Sequence, residues 1–141
     1  IMAAYEGVGH AYHATMPTDG LTAFRDTMAE TRDYGFERLR DAQWELGTKV
    51  RAALRLRGIA SVAAEGYGAP GVVVSYTDDP GVQNGSKFGA LGVQIAAGVP
   101  LQVGEPEGFS TFRLGLFGLD KLIDVDATVA RLEAALDKAI G

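Results

Sequence analysis

Arg113 stands in the run Thr111-Phe112-Arg113-Leu114-Gly115-Leu116-Phe117-Gly118, and its guanidinium is the group in this sequence best suited to hold a carboxylate. In an extended chain alternate residues share a face, so Phe112, Leu114 and Leu116 point one way while Thr111, Arg113, Gly115 and Phe117 point the other. Arg113 is thereby set apart from the leucines that need a core. Gly115, on the Arg113 side, has no side chain to keep a ligand away. A guanidinium presents a planar fork of donors that matches a carboxylate, and one such charged hydrogen bond contributes roughly 1.5 to 3 kcal/mol. The other use of such an arginine is an ion pair with an acidic side chain of the same protein, which on spacing alone is the commoner one.

The segment Tyr12-His13-Ala14-Thr15 offers a phenol, an imidazole and a hydroxyl within a few residues, a donor set suited to a phosphate. On the residues alone, a turn capped by the hydroxyl of Thr15 is the commoner use of such a segment. His10 and His13 lack a nearby third ligand and make a poor zinc site. Cysteine is absent, Ser61, Ser75, Ser86 and Ser110 lack a nucleophile-elbow context, and neither histidine has an obvious Asp to orient it. Gly66-Tyr67-Gly68-Ala69-Pro70 reads as a turn rather than a phosphate loop, because no helix is expected to start after it. No catalytic residue and no metal ligand is assigned within this chain.

These groups must be carried by a small number of elements. After Pro17, the pair Thr18-Asp19 offers an N-cap oxygen and Leu21, Phe24 and Met28 recur at helical spacing, so a helix is expected from about residue 19 to Tyr34. Phe36, Leu39, Leu46, Val50 and Leu54 continue a helical stripe beyond Gly35, as a neighbouring helix or one long bent rod, with Trp44 read as a packing residue. Gly58, after Arg55-Leu56-Arg57, is the expected C-cap. Strands are expected at 59–63 and more firmly at 71–76, where valines cluster, with Asp78-Asp79-Pro80-Gly81 as a turn. A short helix over 83–91, an extended piece at 93–95 and a strand at 111–116 follow. From Asp124, as N-cap, Val125, Val129, Leu132, Leu136 and Ile140 trace a final amphipathic helix. This order points to an α+β domain, a two-layer sandwich with a long helix on a small, mainly antiparallel sheet.

Composition narrows the function classes. The 141 residues, 47% of them hydrophobic, suffice for one core. A net charge of −5 argues against nucleic acid, which needs clustered Lys and Arg. Most arginines lie between Arg25 and Arg57, interleaved with acidic residues as on a solvated helix face. The absence of cysteine suits the cytoplasm, and no apolar run approaches a membrane span, so neither membrane nor nucleic acid is expected as a partner.

Taken together, the two chemistry-bearing segments resemble landmarks of the class V aminotransferases, which include alanine–glyoxylate and serine–pyruvate transaminases. Ala11-Tyr12-His13-Ala14-Thr15-Met16-Pro17 is similar to that family's Tyr-His-x-Thr-x-Pro segment, and Phe112-Arg113-Leu114-Gly115 to its late Arg-[Ile/Leu]-Gly segment. The resemblance implies a fold-type I enzyme dependent on pyridoxal 5′-phosphate, working as a homodimer, whose C-terminal small domain closes over the substrate. It implies that Arg113 binds the carboxylate of a small amino acid or 2-keto acid, of the glyoxylate or pyruvate type. Tyr12 and Thr15 would reach the cofactor phosphate of the partner subunit, and His13 inherits no role. Residues 1–17 would be the tail of the large domain or an interdomain segment, and 18–141 the small domain.

The family's Schiff-base Lys and the Asp that pairs with the pyridinium nitrogen have no counterpart here. Lys49, Lys87, Lys121 and Lys138 sit in helical or turn contexts unlike the family's lysine site. Together with the Ile1 start, this leads to the expectation of a fragment, inactive by itself and without cofactor, of a cytoplasmic enzyme whose large domain belongs to the same polypeptide. The alternatives are a stand-alone α+β module that binds a carboxylate or mediates association, and a fragment that pairs non-natively through an uncovered helix.

Overall fold

The computed structural model describes residues 6–7 and 15–141, and its contacts divide the chain into two units, Ile1–Gly35 and Phe36–Gly141. In the first, helix α1 spans Thr18–Tyr34. The N-cap is Pro17, without a side-chain bond, rather than Thr18 or Asp19. Proline disfavours helical geometry in the residue before it, which keeps the helix from extending back through Met16, and Pro17 itself has a non-helical ψ of 69°, so Thr18 is the first helical residue. Leu21, Phe24 and Met28 share a stripe as expected but remain exposed, and α1 buries no residue. Gly35, with φ at 103°, ends the helix by donating its N–H to Thr31 and Arg32 carbonyls, so the chain forms two helices rather than one continuous rod.

The second unit opens with α2, Phe36–Leu56, whose buried face is Leu46, Gly47, Val50, Ala53 and Leu54. Its end follows the expected signal. Gly58 takes φ 74° and donates to Arg55 O (3.0 Å) while Ile59 N–H reaches Leu54 O (3.0 Å), the paired bonds of a Schellman motif. Trp44 is 53% exposed, which corrects its reading as a packing residue: it lies off the stripe that the helix buries.

Three strands follow, β1 (Val72–Tyr76), β2 (Ala96–Ala97) and β3 (Thr111–Gly115), in the antiparallel order β1-β3-β2. The strand expected at 59–63 reduces to a single bridge, Ser61 to Ser75. Ala63 N–H turns back to Ser61 Oγ at 3.2 Å, which diverts the backbone from the ladder. The helix expected over 83–91 is two short ones, α3 (Pro80–Gln83) and α4 (Ser86–Gly89), separated at Gly85 with φ 79°. The expected extended piece at 93–95 is not itself paired; the paired strand is β2, which begins at the next residue, Ala96.

After α5 (Leu119–Leu122) comes α6 (Val125–Ile140), capped by Asp124 Oδ1 accepting from Ala127 N–H at 2.9 Å. Helices α2 and α6 pack on each other, and α2 on β1. Arg57 ties α2 to α6 through Asp137 (2.7 Å) and Glu133 (3.3 Å). The core joins Leu46, Val50 and Leu54 to Val73, Phe88, Phe112, Leu114 and Leu136. The unit is therefore the α+β arrangement that the element order implied, helices on a small antiparallel sheet.

Asp79, read as a turn residue, instead caps α3, with Oδ1 accepting from Gly81 (2.8 Å) and Val82 (3.2 Å) N–H and Oδ2 from Lys87 Nζ. The Lys87 ammonium first, then those N–H groups, holds its carboxyl below the ordinary range against an opposing desolvation. A carboxyl depressed in the folded state adds stability above its unfolded pKa and loses it as pH falls through the folded value. Asp79→Asn keeps the capping oxygen but not the charge. It is expected to lower the thermal midpoint at neutral pH, with the deficit closing below about pH 4. A deficit that persisted unchanged at lower pH would show that the charge is not what stabilises.

Candidate functional site

Strand β3 is central, so Arg113 has a strand on each side, facing Val74 of β1 and Ala96 of β2. Phe112, Leu114 and Leu116 are buried while Arg113 is partly exposed and Gly115 and Phe117 are exposed. The alternation is as the sequence implied, except that Thr111, on the Arg113 face, is also buried. By register, Val72, Val74 and Tyr76 share that face with Thr111, Arg113 and Gly115.

Arg113 Nε donates to the carbonyl of Ala97 at 2.9 Å. That bond occupies one of the five guanidinium N–H donors and leaves the two terminal amino groups to present their paired donors. Among the described residues no carboxylate lies within ion-pair distance of Arg113, whereas Arg25, Arg32, Arg40 and Arg57 each have one. The structural ion pair that spacing favoured is not formed there. The approach is open as well, since a Cβ placed on Gly115 would meet only the Phe117 ring, at 4.0 Å.

Two supports of this strand were not evident from sequence. Gln43 of α2 donates from Nε2 to Pro70 O (3.0 Å) and Leu116 O (3.2 Å), clasping the start of β1 to the end of β3. Gly98 follows β2, and a Cβ there would overlap the carbonyl of Thr111. Its lack of a side chain lets this backbone lie close against β3, which brings Ala97 O within reach of Arg113.

Tyr12 lies outside the described residues, as do His10 and His13. Thr15 is described and exposed. The structure thus brings Arg113 and Gly115 together and gives no geometry for the Tyr12 and Thr15 pair.

The four lysines decide how the chain relates to an aldehyde cofactor. Lys49 bonds Asp126 and Glu45, which in that order push its ammonium up to about 12. Lys87 pairs with Asp79, and Lys121 with Asp120. An amine that forms a Schiff base must instead lose its proton readily. Lys138 is exposed in the last turn of α6. None fits the amine partner of pyridoxal phosphate. Among the described residues no cluster of three or more potential metal ligands occurs, and no helix is long and apolar enough to cross a membrane.

No protein-family model and no curated protein matches the chain. Solved structures do. The alanine–glyoxylate aminotransferase of a Nostoc species superposes with a TM-score of 0.71 at 18% identity, over 99% of this chain and 36% of that one. The ureidoglycine–glyoxylate aminotransferase of Bacillus subtilis gives a TM-score of 0.66, also at 18% identity, over 99% of this chain and 36% of that one. The chain therefore has the α+β fold of a segment of these glyoxylate aminotransferases, spanning 36% of their length.

Proposed function

We propose that the chain is the C-terminal small domain of a class V, fold-type I aminotransferase dependent on pyridoxal 5′-phosphate. The enzyme would exchange an amino group between a small amino acid and a 2-keto acid such as glyoxylate or pyruvate, with Arg113 binding the substrate carboxylate. The observation that carries this reading is Arg113 itself. Its Nε is anchored on Ala97 O, it has no carboxylate among the described residues, and the neighbouring Gly115 leaves its approach open. The fold shared with two glyoxylate aminotransferases supports it.

In this reading the Schiff-base Lys and the cofactor wall come from a large domain of the same polypeptide, in a cytoplasmic homodimer, because none of the lysines here suits that chemistry. Tyr12 and Thr15 are assigned to the cofactor phosphate of the partner subunit. This chain binds and orients the carboxylate and contributes no covalent step. The test is transamination by the intact gene product with glyoxylate or pyruvate, expected together with a bound pyridoxal chromophore. A product lacking both would leave the stand-alone carboxylate-binding module.

Gly115→Val separates access from folding. A side chain fits there without a clash, and a β-branched residue suits a strand, so the thermal midpoint is expected to hold or rise. The KM for the keto acid should nevertheless increase, because the new methyls occupy the space beside the guanidinium. An unchanged KM would place the substrate elsewhere.

A further inference from the structure

A cleft of about 530 Å³ lies between the C-terminal half of α2 and the loop after it, lined by Arg51, Arg55, Ile59, Ala64, Glu65 and Ser75 among others. It has no part in the Arg113 reading, because Ser75 belongs to the opposite, core-facing side of the sheet, paired in register with Phe112. Ser75 is 1% exposed, and its Oγ has no hydrogen-bond partner among the described residues. A buried hydroxyl without a partner costs free energy, so such a group in a cleft wall marks a place for something that can bond to it.

A second atom is in the same condition. Arg51 Nε is buried without a partner, although the guanidinium donates through its terminal nitrogens to Val72 O (3.1 Å) and Gly47 O (3.4 Å). No carboxylate pairs with Arg51 among the described residues, and burial alone lowers its pKa. An arginine held partly out of water with only carbonyl dipoles for company is an uncompensated cation, and an anion would relieve it. Arg55, exposed on the same wall, adds a second cation, with no ion pair among the described residues. The remaining lining is largely apolar, with Leu54, Ile59, Ala60, Ala63 and Ala64.

We infer that this cleft is a second ligand site, one for a small organic carboxylate with a short apolar body, its oxygens meeting Ser75 Oγ and the Arg51 and Arg55 guanidinium groups. The aliphatic lining would cover the rest of the molecule. Glu65 at the wall disfavours a dianion and so selects a carboxylate over phosphate.

The test is a titration of the full chain, followed by amide and arginine Nε–H nuclear magnetic resonance, with isobutyrate and separately with inorganic phosphate. Isobutyrate at about millimolar concentration is expected to shift Ser75, the Arg51 Nε–H and residues 60–68. This set is distinct from any shifts around Arg113, so the two sites are read independently. Ser75→Ala should weaken this binding roughly fivefold while leaving the thermal midpoint unchanged or higher, because it removes an unpartnered hydroxyl. Arg55→Gln, at an exposed position, should weaken it without affecting folding. The inference is overturned if isobutyrate leaves these signals unmoved, as a cleft holding only water would. It is equally overturned if phosphate shifts them as strongly, or if Ser75→Ala destabilises the fold and leaves binding intact.

Discussion

Under the proposed function, Arg113→Ala in the intact gene product is expected to lower kcat/KM for the keto acid by about 10- to 150-fold, the equivalent of roughly 1.5 to 3 kcal/mol for a charged hydrogen-bonded contact. Cofactor affinity should be unchanged, because the guanidinium is assigned to the substrate alone. Arg113→Lys should keep most of the loss. An ammonium cannot form the bidentate fork, and it cannot donate to Ala97 O from the position of Nε while presenting two further parallel donors. In the isolated chain Arg113→Ala removes one bond to a carbonyl on a partly exposed residue, so stability should change by about 1 kcal/mol or less. Steady-state kinetics with varied keto acid, beside a cofactor titration, separates these effects. Equal losses of keto-acid and cofactor affinity would contradict the assigned role.

Phe112→Ala, one residue away on the other face, should act on the fold instead. Phe112 is 1% exposed and stacks on Phe88 with ring centroids 6.3 Å apart. Removing the ring leaves a cavity at the centre of the sheet, with an expected cost of about 3 to 5 kcal/mol. Domains of this size are stable by about 5 to 15 kcal/mol. The variant should therefore unfold at a much lower urea concentration, with a smaller shift for Phe112→Leu. A loss below about 1 kcal/mol would mean that the core is not closed around this ring.

The contrast between these neighbours was legible in the sequence, because strand alternation separates Arg113 from Phe112 and Leu114 without any knowledge of the partner strands. The Gly58 and Asp124 caps were legible for the same reason, being local. What escaped was non-local. Ala97 O reaches Arg113 only because β2 pairs with β3, and Gln43 meets Pro70 and Leu116 across 27 and 73 residues of chain. Trp44 shows the limit of residue type, since it is apolar yet lies off the periodic stripe that α2 buries. The segment at 59–63 has the composition of a strand, but Ser61 Oγ takes the Ala63 N–H and the ladder stops. Ser75 read as one serine among several, and its unpartnered hydroxyl became visible only once α2 and β1 were placed.

The role of Arg113 is tested most directly by measuring the intact enzyme's affinity for a substrate-like carboxylate and for the corresponding uncharged amide, before and after Arg113→Ala. Such a cycle isolates the contact between guanidinium and carboxylate from every other effect of the substitution. The unaltered enzyme should prefer the acid by about 10- to 150-fold, and Arg113→Ala should abolish that preference. An undiminished preference for the acid in the variant would show that another group binds the carboxylate.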